Sequence, residues 1–281
     1  MKSRNLFAIF AAYMDKNRQI DIMGIVNLTD DSYFSPSRCA DTDQALSLAR
    51  RMIDEGAGII DFGACSSRPG AELSDPETEW RRLQPVLASF RDAFPDVRIS
   101  IDTIWASVVS RACGLIGSFI VNDISAGEDD PRMLETVGAL GLPYVAMHKR
   151  GTPQTMQSLT DYDDVTSEVL EYFRAFSVKA DAFGIKEWII DPGFGFAKTV
   201  GQNYELIRGL SSFREGFPSK KILVGVSRKS MIYRLLNITP EESLPATQVL
   251  HLAALQNGAD ILRVHDVAEA ARTISLYRML A

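Results

Sequence analysis

Short apolar runs recur along the chain, and each stops at a polar residue. Ile22 to Val26 leads to Asn27, Ile59-Ile60 to Asp61, Ile99 to Ile101 to Asp102, and Phe119 to Val121 to Asn122 and Asp123. Four more follow: Tyr144 to Met147 before His148, Trp188 to Ile190 before Asp191, Ile222 to Val226 before Ser227, and Ile261 to Val264 before His265. Most are continuous rather than alternating, the pattern of parallel strands covered by helices. Eight strands are predicted.

Segments with helical spacing lie between them. Thr42 to Glu55 carries apolar residues at Ala45, Leu48, Ala49 and Met52 and stops at Gly56. Ser74-Asp75-Pro76-Glu77 predicts a helix start with Ser74 as cap and proline in the first turn, running towards Phe90. Tyr162 to Phe183 ends at Gly184, and the segment around Leu250 to Asn257 ends at Gly258. Glu55-Gly56-Ala57-Gly58-Ile59-Ile60-Asp61 resembles Asn257-Gly258-Ala259-Asp260-Ile261-Leu262-Arg263, so helix, glycine and strand recur as a unit. Eight such units close most simply into an α/β fold, a (β/α)8 TIM barrel over residues 21–281, with residues 1–20 as a short N-terminal extension. A doubly wound open sheet is the alternative, but no GxGxxG follows the first strand.

Composition narrows the function. At 281 residues with 46% hydrophobic and 23% charged residues the chain reads as globular, and a net charge of −6 makes nucleic acid an unsuitable partner. Cys39, Cys65 and Cys113 are odd in number and lack a CxxC pair, which suits a reducing cytoplasm better than a disulfide scaffold or structural zinc. The apolar run Leu6 to Met14 is too short and too soon followed by Asp15, Lys16 and Arg18 for a secretory leader, and no stretch approaches membrane-spanning length.

In a barrel the C-terminal strand ends share one mouth. Asn27, Asp61, Asp102, Asn122, Asp123, His148, Asp191, Ser227, Arg263 and His265 could all reach it. The three histidines lack HExxH spacing, and Gly225-Val226-Ser227-Arg228-Lys229 lacks the second glycine of a nucleophile elbow. What remains are carboxylates and amides with the cations Arg68, Arg228, Lys229 and Arg263 with His265. Arginine forks on an acidic protein suggest an anionic substrate, with Arg228-Lys229 binding it at a helix start. Asp102 and Asp191 suit ring N–H groups, so a ligand with a nitrogen heterocycle at one end and an anion at the other fits. The stretch WIIDPGFGFAK, residues 188–198, places Asp191 at a strand exit beside glycines and phenylalanines, which reads equally as a binding loop or as an ordinary tight turn.

Several motifs in order extend this reading: MGIVNLTDDS at 23–32, SSRPGAE at 66–72, SIDT at 100–103, VNDISAG at 121–127, MHKRGTPQTMQ at 147–157, DPGFGFAK at 191–198, VGVSRKS at 224–230 and RVHDV at 263–267. Together they resemble the dihydropteroate synthases of the pterin-binding barrel family over residues 21 to 275. The resemblance implies a transferase of folate biosynthesis that joins 4-aminobenzoate to the methylene of a dihydropterin methyl diphosphate and releases diphosphate. It implies a pterin pocket of Asp102, Asn122, Met147, Asp191, Phe196 and Lys229. Ser67, Arg68, Pro69 and Ser227 fall on the aminobenzoate side. Asn27, Arg263 and His265 fall at the diphosphate, Asn27 as the Mg2+ ligand. Asp102, Asp191, Lys229, Arg263 and His265 carry the chemistry, and a homodimer in the cytoplasm is the expected assembly.

The sequence departs from the family at several positions. The first loop reads NLTDDSYFSPSR, with Asp30 where proline is usual; Ser67 keeps a threonine's hydroxyl, Cys65 replaces a common glutamate, and Ala197 replaces a glycine. A methyltetrahydrofolate methyltransferase would share Asp102, Asn122 and Asp191 but would not need Ser227-Arg228-Lys229 with RVHDV. A pterin-binding relative without activity is the third reading, motivated by the first loop.

Overall fold

The computed structural model describes residues 18–28, 39, 41–65, 74–152 and 154–280. Eight parallel strands occur at the expected places: β1 (Asp21–Asn27), β2 (Ile59–Gly63), β3 (Arg98–Asp102), β4 (Ile120–Asp123), β5 (Tyr144–Met147), β6 (Trp188–Asp191), β7 (Leu223–Val224) and β8 (Ile261–Val264). Among the described residues ten α-helices accompany them: α1 (Thr42–Asp54), α2 (Pro76–Ala93), α3 (Ala106–Ile116), α4 (Met133–Leu140), α5 (Val165–Ala182), α6 (Val200–Arg208), α7 (Leu210–Gly216), α8 (Ser230–Leu236), α9 (Leu244–Gln256) and α10 (Val267–Leu280). The strands run in the order β6-β5-β4-β3-β2-β1-β8-β7. A single parallel bridge, Ile190 to Ile222, joins the two ends. The result is the expected (β/α)8 barrel.

The apolar runs are continuous because each strand is buried on both faces. Met23, Ile59, Ile120, Val145, Ile189, Leu223 and Ile261 meet inside the barrel, one from each of seven strands. Their neighbours in sequence point outward into the larger layer between strands and helices. Side chains alternate with period two along a strand. Consequently Asp61, Asn122, Met147, Asp191 and Arg263, each two residues past an inner-core residue, face inward at the next level up.

The helices start and stop by local chemistry. Asp75, not Ser74, caps α2, accepting from the amides of Glu77 and Thr78 with Pro76 in the first turn. The carboxylate reaches two amides, which the serine one residue earlier cannot do from its position. Asp164 caps α5, three residues later than the periodicity suggests, and Thr199 with Gln202 forms a capping box on α6. Gly56 and Gly258, matched in the sequence repeat, have φ of 110° and 104°, left-handed geometry that lets the chain leave each helix straight for the next strand.

Ion pairs close the opposite end of the barrel. Asp21 accepts from Arg98 at 3.2 and 2.7 Å and from Lys221 at 3.1 Å, tying β1, β3 and the approach to β7. Asp260 takes Arg214 and the amide of Ile222, with Arg18 3.9 Å away. Arg18 also donates to the Leu255 carbonyl and the Tyr277 hydroxyl, fastening the chain before β1 to α9 and α10. Residues 1–17 of the expected extension lie outside the described residues.

Burial alone would raise the Asp21 carboxyl, but hydrogen bonds and charge from Arg98 and Lys221 outweigh it and hold it below the ordinary carboxylate value. A carboxyl depressed on folding stabilises the protein above its unfolded pKa and loses that contribution as pH falls through the folded value. Asp21→Asn is therefore expected to lower unfolding free energy by about 1–2 kcal/mol at neutral pH, a range reduced for the partial exposure of both cations. The gap to the unaltered protein should narrow below roughly pH 4 in urea titrations across pH.

Candidate active site

The inward-facing strand ends bring most of the expected residues together. Arg263 on β8 reaches across the mouth. Its Nε donates to Asp61 Oδ2 at 2.7 Å and one terminal nitrogen to Asp102 Oδ2 at 2.8 Å. Asn122 on β4 donates to the same Asp61 carboxylate at 3.4 and 3.2 Å, which leaves its amide oxygen as the end a ligand can use. Asp61 is fully buried. Asn27 ends β1 next to Gly63, where a Cβ would stand 3.5 Å from both Asn27 Oδ1 and Asp102 Cβ. Glycine there lets the two side chains share one space.

The loop after β6 forms the adjoining wall. Asp191 is buried, and its Oδ1 accepts from the Gly193 amide at 2.8 Å, a tight turn that the proline and glycine permit. Lys229 donates to the Phe194 carbonyl, and its ammonium lies 4.8 Å from the Phe196 ring centre. Met147, Ile104 and Ile124 form a small apolar cluster with Phe196 and Trp105 packed against it. The expected apolar walls, Met147 and Phe196, are thus adjacent and border the polar cluster. Ala197 holds φ of 50°, so alanine takes up the conformation that suits the family's glycine.

Burial of so many charges perturbs them. Desolvation raises Asp102 to about 7, with Arg263 pulling it down and Asp61, Asp123 and Asp191 pushing it up. Desolvation also raises Asp191, opposed first by Lys229. Lys229 is lowered to about 8 by burial and by Arg263, against Asp191, and stays cationic at neutral pH. The carboxylates hold the Arg263 guanidinium above its ordinary value.

Four expectations are corrected. His265 is not a cation: burial, then Arg263, Arg228 and Lys229 beside it, lower the imidazole to about 3. Its Nδ1 lies 3.0 Å from Ser227 Oγ, which itself accepts from the His265 amide at 3.3 Å. In the tautomer in which the hydroxyl donates to Nδ1, the ring proton lies on Nε2. Arg228 does not offer itself to an anion. It grips Asp266 with two bonds of 2.8 Å and the carbonyls of Pro240 and Glu241 at 3.0 and 2.8 Å, with φ of 53°. The helix it precedes, α8, takes no side-chain cap from Lys229, whose ammonium turns to Phe194 instead. Asp123 has the outward parity and serves a loop, accepting from Ser125 N, Ser125 Oγ, Gly127 N and the Tyr144 hydroxyl. His148 likewise points away from the mouth to Lys198, 3.0 Å from Nδ1.

Ser227 sits with His265 rather than apart from it. Ser67, Arg68 and Pro69 lie outside the described residues. Two participants are given no specific function by the sequence. Asp61 stands only among the strand ends that could reach the mouth, and its place two residues past Ile59 is the parity signal that could have singled it out. Lys198 closes the DPGFGFAK motif without any periodic signal.

This constellation sits on a barrel that other proteins share. Residues 23–265 match the model of the pterin binding enzyme family. The chain belongs to that family. A dihydropteroate synthase of Synechocystis sp. is 40% identical over 262 residues, covering 92% of this chain and 89% of that protein. The crystal structure of Yersinia pestis dihydropteroate synthase with a sulfonamide drug complex superposes with a TM-score of 0.89 at 35% identity, covering 94% of this chain and 95% of the other. Dihydropteroate synthase from Xanthomonas albilineans in complex with 7,8-dihydropteroate gives 0.80 at 30% identity, with 93% of each chain covered. The family and enzyme class expected from the motifs agree with these relatives.

Arg263 is the largest influence lowering Asp102, so its removal should move that titration upward. In Arg263→Met, the Asp102 carboxyl resonance, followed by carbon NMR against pH, is expected to titrate above the value near 7 in the unaltered protein. An unchanged or lower midpoint would refute the pairing.

Proposed function

We propose that the mouth of this barrel carries out the dihydropteroate synthase reaction, joining 4-aminobenzoate to the methylene carbon of a dihydropterin methyl diphosphate and releasing diphosphate. The observation that carries this reading is the convergence of Asp102, Asn122, Asp191 and Lys229 beside Met147 and Phe196, with Arg263 crossing to the same carboxylates. Asp102, Asp191 and the Asn122 oxygen accept the ring N–H and amino groups of the pterin. Lys229 donates to its acceptor edge. Met147 and Phe196 pack on its faces.

The diphosphate end falls to Arg263, His265 and Asn27. An anion arriving there finds a guanidinium fork and a neutral imidazole, which donates to it in its Nε2–H tautomer. Among the described residues no cluster of three or more His, Cys, Asp or Glu could hold a metal ion. Mg2+ needs none, because it binds through one or two protein oxygens together with substrate phosphates and water. The Asn27 amide oxygen at the mouth fits that donor set, and the ion's chemistry would be neutralisation of the departing charge.

The step is a dissociative substitution. The bond from methylene carbon to diphosphate oxygen breaks with its electron pair leaving on the oxygen, where Arg263 and His265 receive it. The cation left on the methylene is spread over the pterin and faced by Asp102 and Asp191. The aniline nitrogen attacks with its own lone pair and then gives up a proton, so no base is needed before bond formation. Ser67, Arg68 and Pro69 are assigned to the aminobenzoate by resemblance alone, and Ser227 adjoins His265 on that side.

The remaining expectations concern assembly and location. A homodimer is supported by exposed apolar side chains on α9 and α10, Val249, Leu276, Met279 and Leu280, the last two 83% and 69% exposed. These helices pack on one another. No described helix is long and apolar enough to cross a membrane, and all three cysteines are free, which suits a cytoplasmic site of action.

Two measurements test this reading. With both substrates and Mg2+ present, the protein should release diphosphate, and Asp191→Ala or Lys229→Ala should cut kcat/KM by at least about a hundredfold, as loss of charged hydrogen bonds to a buried ligand implies. Full turnover in either variant would remove the pocket assignment. In analytical ultracentrifugation a Val249→Asp, Leu276→Asp double variant should sediment as a monomer while the unaltered chain sediments as a dimer.

A further inference from the structure

Lys198 ends the motif that lines the pterin side of the mouth, yet it points away from the ligand space and has no part in the reaction as described. Its ammonium is buried and has three acceptors, each at 3.0 Å: the carbonyls of Gly193 and Phe196 and the Nδ1 of His148. An ammonium has three hydrogens, so the set is complete. Burial lowers Lys198 to about 7, against the pull of Asp191. In either protonation state the amine donates to the two carbonyls, and the ammonium form adds the bond to His148. His148 is the matching half. Burial, then Lys198 and Arg150, lower it to about 2, so the ring is neutral, and its Nε2–H tautomer offers Nδ1 as an acceptor to the ammonium.

The contacts divide the loop's carbonyls between two ammonium groups. Gly193 and Phe196 turn theirs to Lys198, while Phe194 turns its own to Lys229. The backbone of His148 completes the clamp: its amide donates to the Asp191 carbonyl at 3.0 Å. Its carbonyl lies where a Cβ on Gly193 would come within 1.9 Å, and Gly193 has φ of 73°. Asn203 holds the far side, accepting from the Gly195 amide at 2.6 Å and donating to the Lys198 and Thr199 carbonyls at 3.3 and 2.7 Å. The Gly193 amide, at the other end of the same residue that Lys198 grips, fixes Asp191 Oδ1.

We propose that Lys198, seated on His148, is the positioning residue for the pterin half of the reaction. It holds residues 191–196 in the one shape that presents the Asp191 carboxylate to the ring and the Phe194 carbonyl to Lys229. It touches neither substrate, and its effect passes through those two groups alone. The aminobenzoate side does not depend on it. The inference rests on the pterin reading of the mouth given above.

Steady-state kinetics separate this role from a general structural one. Lys198→Met keeps the chain length and removes all three donors. The KM for the pterin diphosphate is expected to rise about tenfold or more, with the KM for 4-aminobenzoate at saturating pterin within about twofold of the unaltered enzyme. Lys198→Gln, with two donors and no charge, should recover part of the loss. A folded Lys198→Met enzyme whose pterin KM is unchanged, or whose two KM values rise together, would overturn the proposal. If Lys198→Met does not fold, His148→Leu decides. It removes the Nδ1 acceptor and leaves both carbonyls and the backbone of residue 148 in place, and should raise the pterin KM selectively by about threefold or more; an unchanged value would count against the clamp. An unaltered protein that releases no diphosphate from the pterin substrate would instead defeat the functional reading itself, and that outcome is visible before any variant is made.

Discussion

The guanidinium of Arg263, held between Asp61 and Asp102, is the interaction on which the rest of the mouth depends. Two carboxylates this close repel by several kcal/mol at an effective dielectric near 20, so they share the space only with a cation between them. Arg263 supplies it from the opposite side of the barrel and remains charged whatever the pH. Its presence explains the other charges. It helps hold Lys229 and His265 below their ordinary values and keeps Asp102 from rising further. It also couples the two ends of a bound substrate. An anion that engages Arg263 draws on the same pair that a ring engaging Asp102 must open, so neither half of the ligand binds independently of the other.

Charge in this site is therefore a property of the set. His265, a cation by its position among basic residues in sequence, is lowered to about 3 by burial first and then by those same residues. Lys229 keeps its proton because Asp191 faces it. Lys198, lowered to about 7 by burial, is held by the Gly193 and Phe196 carbonyls and by His148.

Much of this was legible in the amino-acid sequence. Continuous apolar runs ending in polar residues located all eight strands, because two-sided burial leaves no room for alternation. The glycines at 56, 184 and 258 located helix exits. Motifs at the strand ends identified the family. What escaped was decided by atoms distant in sequence. Whether Arg228 binds an anion turns on Asp266 and the carbonyls at 240 and 241, which only the fold brings to it. Asp123 and Asn122 are neighbours of similar polarity, and only strand parity sends one inward and the other to Ser125 and Tyr144. The cap of α2 shifted from Ser74 to Asp75 because both residues are good caps and backbone direction chooses between them. Lys198 carries no local signal, since a lysine after a glycine-rich turn reads as a solvated side chain until its three acceptors are seen.

The seam of the barrel gives the ligand a second task. Between β6 and β7 the main chain makes one bridge, at Ile190 and Ile222, where the other neighbours share a ladder. Higher up, the Lys229 ammonium on the Phe194 carbonyl spans the same gap. Asp191 stands on one side of it and Lys229 on the other, so under the proposed function a pterin bound by both would be a cross-brace over the joint where the cylinder has least backbone stitching. Substrate would then be part of the architecture as well as its cargo. A ring at a hundred times its dissociation constant would add about 2.7 kcal/mol to the stability of the folded chain.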